Sequence, residues 1–355
     1  MSVERRPDPD QSTLFDLGMQ SLRLYPGADP PDIAPLKPTV AYDSYWRFAA
    51  ERQRVFFARL RGCQPPWSDD EIITKHKFTN AYRASDRVSQ YLIRRVIYRD
   101  DLPATAEETF FRIILFKFFN KIETWELLEE QVGAITWKGF DFNRFDSVLS
   151  RAMGAGRRIY SAAYIMPTAG AMGHERKHSN HLALLERMMG EGLPARVANA
   201  ADMQHGFELL LAYPSLGDFL AYQFITDINY SELTWFSEME FVVAGPGALD
   251  GISKCFSDTA GLNAPEIIRF MTERQDAEFA RLGLHFESLW GRPLQLIDCQ
   301  NVFCELSKYA RIRHPEIAGI SGRTRIKQIF RASKGEPIGY WYPPKWAING
   351  KITKR

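Results

Sequence analysis

Phe207-Glu-Leu-Leu-Leu-Ala-Tyr-Pro-Ser-Leu-Gly-Asp-Phe-Leu-Ala-Tyr-Gln-Phe-Ile-Thr-Asp227 is two apolar runs around a tight turn. Leu209, Leu210 and Leu211 close the first run, and Phe219, Leu220, Ala221 and Phe224 give the second a helical apolar face. Pro214-Ser215-Leu216-Gly217 between them carries turn chemistry. The segment therefore predicts helix, turn, helix. Outward from it the same period recurs. Helices are expected over residues 42–61, 86–98, 107–120, 142–153, 181–189 and 264–282, and the best short strand candidate is 241–244. Strand alternation is otherwise scarce, so the fold class expected is all-α.

The hairpin resembles the helix-hairpin-helix of DNA base glycosylases, in which backbone N–H groups at the start of the second helix hold a DNA phosphate. On that resemblance Ser215, Leu216 and Gly217 are expected to contact DNA. Gly217 fits the pattern, whereas Ser215 stands where the family usually has its first glycine. Phe219 occupies the place of the lysine used by lyase-type members. Beyond the hairpin, Phe241-Val-Val-Ala-Gly-Pro-Gly-Ala-Leu-Asp-Gly-Ile252 opens a further helix. Pro246 suits its first turn, and Gly245 and Gly247 allow a ligand to approach the backbone. Asp250 follows, displaced from the family's acid, whose aligned place is nearer Gly245.

Composition bounds the rest. The chain has 355 residues, 45% of them hydrophobic and 13% aromatic, enough for a large core. Its net charge of +2 does not mark a nucleic-acid binder. The distribution is more informative, since twelve Lys or Arg face two Glu between Ser307 and Arg355. The proline-rich residues 1–38 are expected to form a loose arm. A helical domain over 39–322 follows, with lobes of about 39–195 and 196–322, and then a basic extension over 323–355. Four cysteines without C-x-x-C spacing predict reduced thiols in a cytoplasmic protein. No membrane span, P-loop or internal repeat is evident.

His174-Glu-Arg-Lys-His178 matches H-E-x-x-H, with His181 as a third possible ligand. Arg176 and Lys177 place charges inside the motif, and the upstream glycines predict a loop. A polar helix start is therefore expected, with neither metal nor cofactor. Lys77-Phe-Thr-Asn-Ala-Tyr-Arg-Ala-Ser-Asp86 gathers polar groups before a helix. Asn80 and Asp86 suit caps, while Arg83 beside Tyr82 suits a phosphate contact or a stacked base. Asp298, Asn301, Glu305 and Lys308 share one face at helical spacing, with Tyr309 adjoining.

Phe78-Thr-Asn-Ala-Tyr-Arg83, Phe118-Phe-Asn-Lys-Ile-Glu-Thr-Trp125, Gly245-Pro-Gly-Ala248 with Gly251-Ile252, Asn301-x-x-Cys-Glu-x-x-Lys-Tyr309 and Pro343-Pro-Lys-Trp346 occur in that order. Together, over residues 42–346, they resemble the DNA base hypermodification proteins. That family is related to the helical domain of 5-hydroxymethyluracil DNA kinases and to the alpha-glutamyl/putrescinyl-thymine pyrophosphorylases. The resemblance implies a glycosylase-like two-lobed helical fold and double-stranded DNA carrying modified pyrimidines. Some bacterial relatives resemble glycosylases directed at phage DNA. The expectation drawn is a monofunctional DNA glycosylase that flips and excises a modified pyrimidine in phage defence. Asp250 is its first candidate acid, then Asp298 and Glu305. Arg83, Lys308, Gly245 and Gly247 would contact DNA, and Asn80, Tyr82, Asn301 and Tyr309 would line the base pocket. The alternatives are a transferase that displaces pyrophosphate from an activated hydroxymethylpyrimidine, or a DNA-binding module without chemistry.

Overall fold

A computed structural model describes residue 29, residues 31–331 and residues 339–352. Most of the arm expected at 1–38 and part of the extension expected at 323–355 lie outside the described residues. The fold is mostly helical. Its longer helices are α1 (Val40–Leu60), α2 (Ala106–Phe119), α3 (Ile122–Val132), α4 (Phe142–Gly154), α5 (Lys177–Gly190), α6 (Met203–Leu211), α7 (Asp218–Ile228), α8 (Pro246–Cys255), α9 (Ala264–Glu273) and α10 (Leu296–Arg313).

Several starts are fixed by side chains that accept otherwise unpaired N–H groups. Thr39 caps α1, Thr105 caps α2, Asp141 caps α4 and Asp202 caps α6. Asn263 and Glu266 cap α9 reciprocally, as Gln295 and Asp298 do for α10. Asn120, in the left-handed region at φ 46°, ends α2.

Three expectations change. The strand expected at 241–244 is irregular chain, and the described sheet pairs β1 (Lys37–Pro38) with β2 (Phe256–Asp258), antiparallel. The helix expected over 86–98 is a short α-turn, Arg87–Tyr91, that widens into a π-helical stretch, Leu92–Ile97. The helix expected over 264–282 divides at Arg274, whose N–H still bonds Phe270 O, and Gln275–Arg281 forms a second short helix.

The helices form two groups that do not follow chain order. The α1 helix packs against α8, α10 and Gln275–Arg281, far away in sequence. Between them, α2 packs against α5 and α7, α4 against α3 and α5, and α6 against α7. Buried aromatic residues fill both groups. Tyr45, Trp46 and Phe303 pack in the first, and Phe116, Phe118, Trp125 and Phe224 in the second. Ile326, Tyr342 and Ile348 are buried in the same continuous core, so packing does not stop at residue 322. No described helix is long and apolar enough to cross a membrane.

Candidate functional site

The two groups meet where the loop 77–86 crosses the first half of α10. Its backbone is held by polar side chains from beneath. Thr79 N–H donates to Glu305 at 3.0 Å, and Arg83 N–H donates to Asp298 Oδ1 at 2.8 Å. Asn301 Nδ2 donates to Thr79 Oγ1 and Asn80 O, both at 3.1 Å. From α1, Arg52 Nε donates to Thr79 O at 2.9 Å. The spacing of 298, 301 and 305 explains the arrangement, because one helix face carries all three.

Arg83 leaves this loop for the second group. There it forms a buried fork with Asp227 at 2.7 and 3.0 Å, and it also donates to Gln223 Oε1 and Tyr230 Oη. Lys117 reaches the same carboxylate at 2.8 Å and donates to Asn120 Oδ1 at 3.0 Å. Two buried cations thus share one anion. Burial alone would raise Asp227, but Arg83 and Lys117 pull its carboxyl below the usual range. Burial lowers Lys117 despite that partner. The ammonium also lies 4.8 Å from the ring of Tyr164, which stacks on Phe219 at 5.7 Å with 9° between planes. Tyr164 sits at φ 53°, an uncommon conformation for a bulky residue.

Asp86 stands in the middle of this seam. It heads the helix Arg87–Tyr91 without capping it. Instead Oδ1 accepts the Asn80 N–H at 2.8 Å. Burial pushes its carboxyl up to about 7, with the Asn80 N–H opposing and Glu305 adding to the rise. It remains partly exposed, as do Thr79 and Asn80 beside it. Burial pushes the Tyr164 hydroxyl up to about 12, with the Arg83 charge opposing.

The sequence candidates fall into three sets. Asp298, Glu305, Asn301, Asn80 and Arg83 do come together, though as a framework. Arg83 is buried in its pair with Asp227 and presents no guanidinium to a surface phosphate, so the expected direct contact is corrected. Asp298 is buried, caps α10 and is pushed up to about 7 by that burial. Lys308 pairs with Glu305 at 2.7 Å and lies over Phe78.

A second set faces elsewhere. Tyr82 is buried and donates to Arg292 O, while Tyr309 donates to Asp70 Oδ2. Both hydroxyls are engaged away from Asp86, which corrects their place in a base pocket. Asp250 is only 1% exposed. It accepts Ser307 Oγ at 2.5 Å and the Ser321 N–H at 2.7 Å, with Lys254 at 3.6 Å. Against burial, these hydrogen bonds hold its carboxyl below the usual range. Its surroundings are those of an anchor between α8, α10 and the chain beyond α10.

The glycines form the third set. A Cβ on Gly247 would lie 2.3 Å from Cys304 Sγ, and one on Gly251 2.1 Å from Phe303 O, so α8 lies tight against α10. A Cβ on Gly245 would strike Phe219. In the hairpin, the left-handed residue is Ser215 at φ 71°, Leu216 is buried, and Gly217 is exposed with open space around it. Asp218 already places an exposed carboxylate in the first turn of α7.

His174 precedes α5, while His178 contacts Ser150 at 2.9 Å and His181 sits between Tyr160 Oη and Pro167 O. The described residues hold no His, Cys, Asp and Glu grouping suited to a metal. Asp227, Lys117 and Tyr164 are not expected from the sequence, which offers Asp86 only as a cap. A signal existed for two of them. Lys117 interrupts Ile-Ile-Leu-Phe-Lys-Phe-Phe and Asp227 interrupts Phe-Ile-Thr-Asp-Ile, and charges inside apolar helix faces need partners.

The profile of a family described as the helical domain of 5-hmdU DNA kinase matches residues 39–319. The 5-hmdU DNA kinase of Bacillus phage SP10 is 25% identical over 287 residues, covering 76% of this chain and 44% of the phage protein. The chain thus spans less than half the length of that relative. No solved structure matches. These findings correct the expectation of a glycosylase. The relative is a kinase of a DNA base, a transferase that adds to the base, and not a hydrolase that excises it.

Proposed function

The chain belongs to the family of 5-hmdU DNA kinase helical domains, and on that premise we propose that it binds DNA and promotes group transfer onto a 5-hydroxymethylated pyrimidine presented at the seam. The base is built up at its exocyclic carbon. The chain carries no G-x-x-x-x-G-K-[ST] phosphate loop, so the step assigned to it follows activation. An amine attacks the methylene carbon of a base whose hydroxymethyl group bears phosphate or pyrophosphate. The new C–N bond forms as the C–O bond breaks, and the electron pair leaves with the phosphate oxygen.

The observation that carries this reading is Asp86, a half-buried carboxylate pushed up to about 7 by burial, three residues beyond Arg83, whose buried pair with Asp227 also holds Lys117. A base of this strength takes the amine proton at physiological pH. The two cations on Asp227 favour the departing anion, because their field is little screened by water in the interior. Thr79 and Asn80 bring their backbone to the same spot on a loop fixed by Asn301 and Glu305.

The test is a mass measurement on nucleosides. Duplex DNA containing 5-hydroxymethyluracil, its phosphomethyl form or its pyrophosphomethyl form is incubated with the protein and a panel of amines and amino acids. A base whose mass equals the activated base plus the donor minus phosphoric or pyrophosphoric acid, absent from thymine, is expected. Tight, base-selective binding without mass change for any donor would replace the transferase reading with that of a recognition module.

A further inference from the structure

The chain beyond α10 is not a loose tail. Ser321 N–H donates to the buried Asp250, and Arg311 Nη1 donates to Arg325 O at 3.1 Å. Ile326 turns into the core. The chain then pairs with the strand-like stretch ahead of the seam loop: Lys77 N–H donates to Gln328 O and Phe330 N–H to Lys75 O, both at 3.0 Å, around a His76–Ile329 bridge.

This fastening displays charge of one sign. Residues 321–331 contain Arg323, Arg325, Lys327 and Arg331 and no acid. All four are exposed, as are Lys75 and Lys77 on the stretch that pairs with residues 328–330. Glu305 pairs with Lys308 and Glu316 with His314, while Glu71 pairs with Lys75 itself in an exposed contact that water screens. Lys77 lies two residues before Thr79, whose N–H is held by Glu305. The basic edge therefore runs directly into the seam.

We propose that Arg323, Arg325 and Lys327, with Lys75 and Lys77, form the track that grips the DNA phosphate backbone and delivers a nucleotide to Asp86. This inference rests on the reading that the seam takes its base from DNA. The track is blind to base identity, because phosphates carry no sequence information. Rigid anchoring matters here. A cation row tied to the core loses less freedom on binding than a free basic tail would.

The experiment measures affinity of the full chain for unmodified and 5-hydroxymethyluracil duplexes by fluorescence anisotropy, from 50 to 300 mM salt. Two double variants remove the track, Arg325→Gln with Lys327→Gln and Lys75→Gln with Lys77→Gln. A control, Arg144→Gln with Arg151→Gln, removes two exposed charges on α4. Circular dichroism melts accompany each to establish folding. Each track pair is expected to weaken both duplexes equally, by about tenfold or more near 100 mM salt, and to flatten the salt slope by roughly two contacts. The control is expected to change neither. Unchanged affinity and slope in both track variants would overturn the track and leave the transferase reading standing. An equal loss in the control would also overturn it, in favour of a net-charge effect. A parent protein that binds no DNA would sink both readings. Track-dependent binding without base modification would sink the transferase reading alone.

Discussion

At the scale of single residues, the pH behaviour of Asp86 links function to stability. Burial holds its folded carboxyl at about 7, whereas an unfolded aspartate titrates near ~3.9. Its contribution to stability is therefore complete below about 4 and is lost as pH rises through about 7. Asp227 and Asp250, both lowered, act oppositely: their contribution is present above about 4 and fades as pH falls below it. Asp86→Asn should thus raise Tm relative to the parent at pH 8 and converge with it at pH 4, which calorimetry can follow. The same change should reduce base modification by about 100-fold or more while duplex affinity stays within about twofold. The parent rate should climb from pH 5 to 7 and then level. A Tm difference that ignores pH would mean that Asp86 is not the group titrating near neutrality. Asp227→Asn leaves Arg83 and Lys117 buried against a neutral amide, a loss of about 3–5 kcal/mol, readable as a shift in denaturation midpoint. Added salt should not restore it, since the cations are out of reach of solvent ions.

The elements show which parts of the fold were legible in the sequence. The hairpin of α6 and α7 was visible because its period and its turn are local properties, and α10 was visible as a polar face at spacings of three and four. The role of the glycines was not. Gly245 and Gly247 suggested access for a ligand, whereas Gly247 and Gly251 let α8 press against α10. Only the partner helix decides between these uses, and it begins some fifty residues later. Gly251→Ala should cost about 1–3 kcal/mol or more through overpacking, because its Cβ meets backbone at Phe303. Gly217→Ala meets nothing within 4 Å at a φ of −75°, and should be nearly neutral in the same urea titration. The break at Arg274 and the π-turn at Leu92–Ile97 likewise escaped notice, as continuous apolar patterning runs through both. Within the site, Asn80, Asn301, Glu305 and Asp298 were identifiable by type and spacing, yet their work turned out to be holding a loop. Asp86 looked like a helix cap, and only its missing cap bond distinguishes it.

For the whole molecule, the decisive pairs are remote in sequence. Arg83 and Asp227 lie 144 positions apart, and Asp250 and Ser321 71 apart. No period or motif announces such partners, which is why the interlaced grouping of α1 with α8 and α10 was not foreseen and two sequential lobes were expected instead. The returning segment after residue 338 belongs to the same picture. Tyr342 is fully buried and meets Ser85 at 2.9 Å, Trp341 N–H donates to Gln90 at 2.8 Å, and Arg292 lies 3.8 Å over Trp346. Tyr342→Ala should destabilise by about 3–5 kcal/mol and Tyr342→Phe by about 1 kcal/mol, a contrast that separates packing from the hydroxyl. This arrangement also has a temporal side. The ribosome makes Ser85 and then 257 residues before Tyr342 exists, an interval on the order of 10–50 s at about 5–20 residues per second. Throughout that time the loop bearing Asp86 lacks its final neighbour. A growing chain therefore cannot complete the seam until its last described segment has emerged, and protease pulses on stalled ribosomes should find the loop 77–86 cleavable long after α2 is protected.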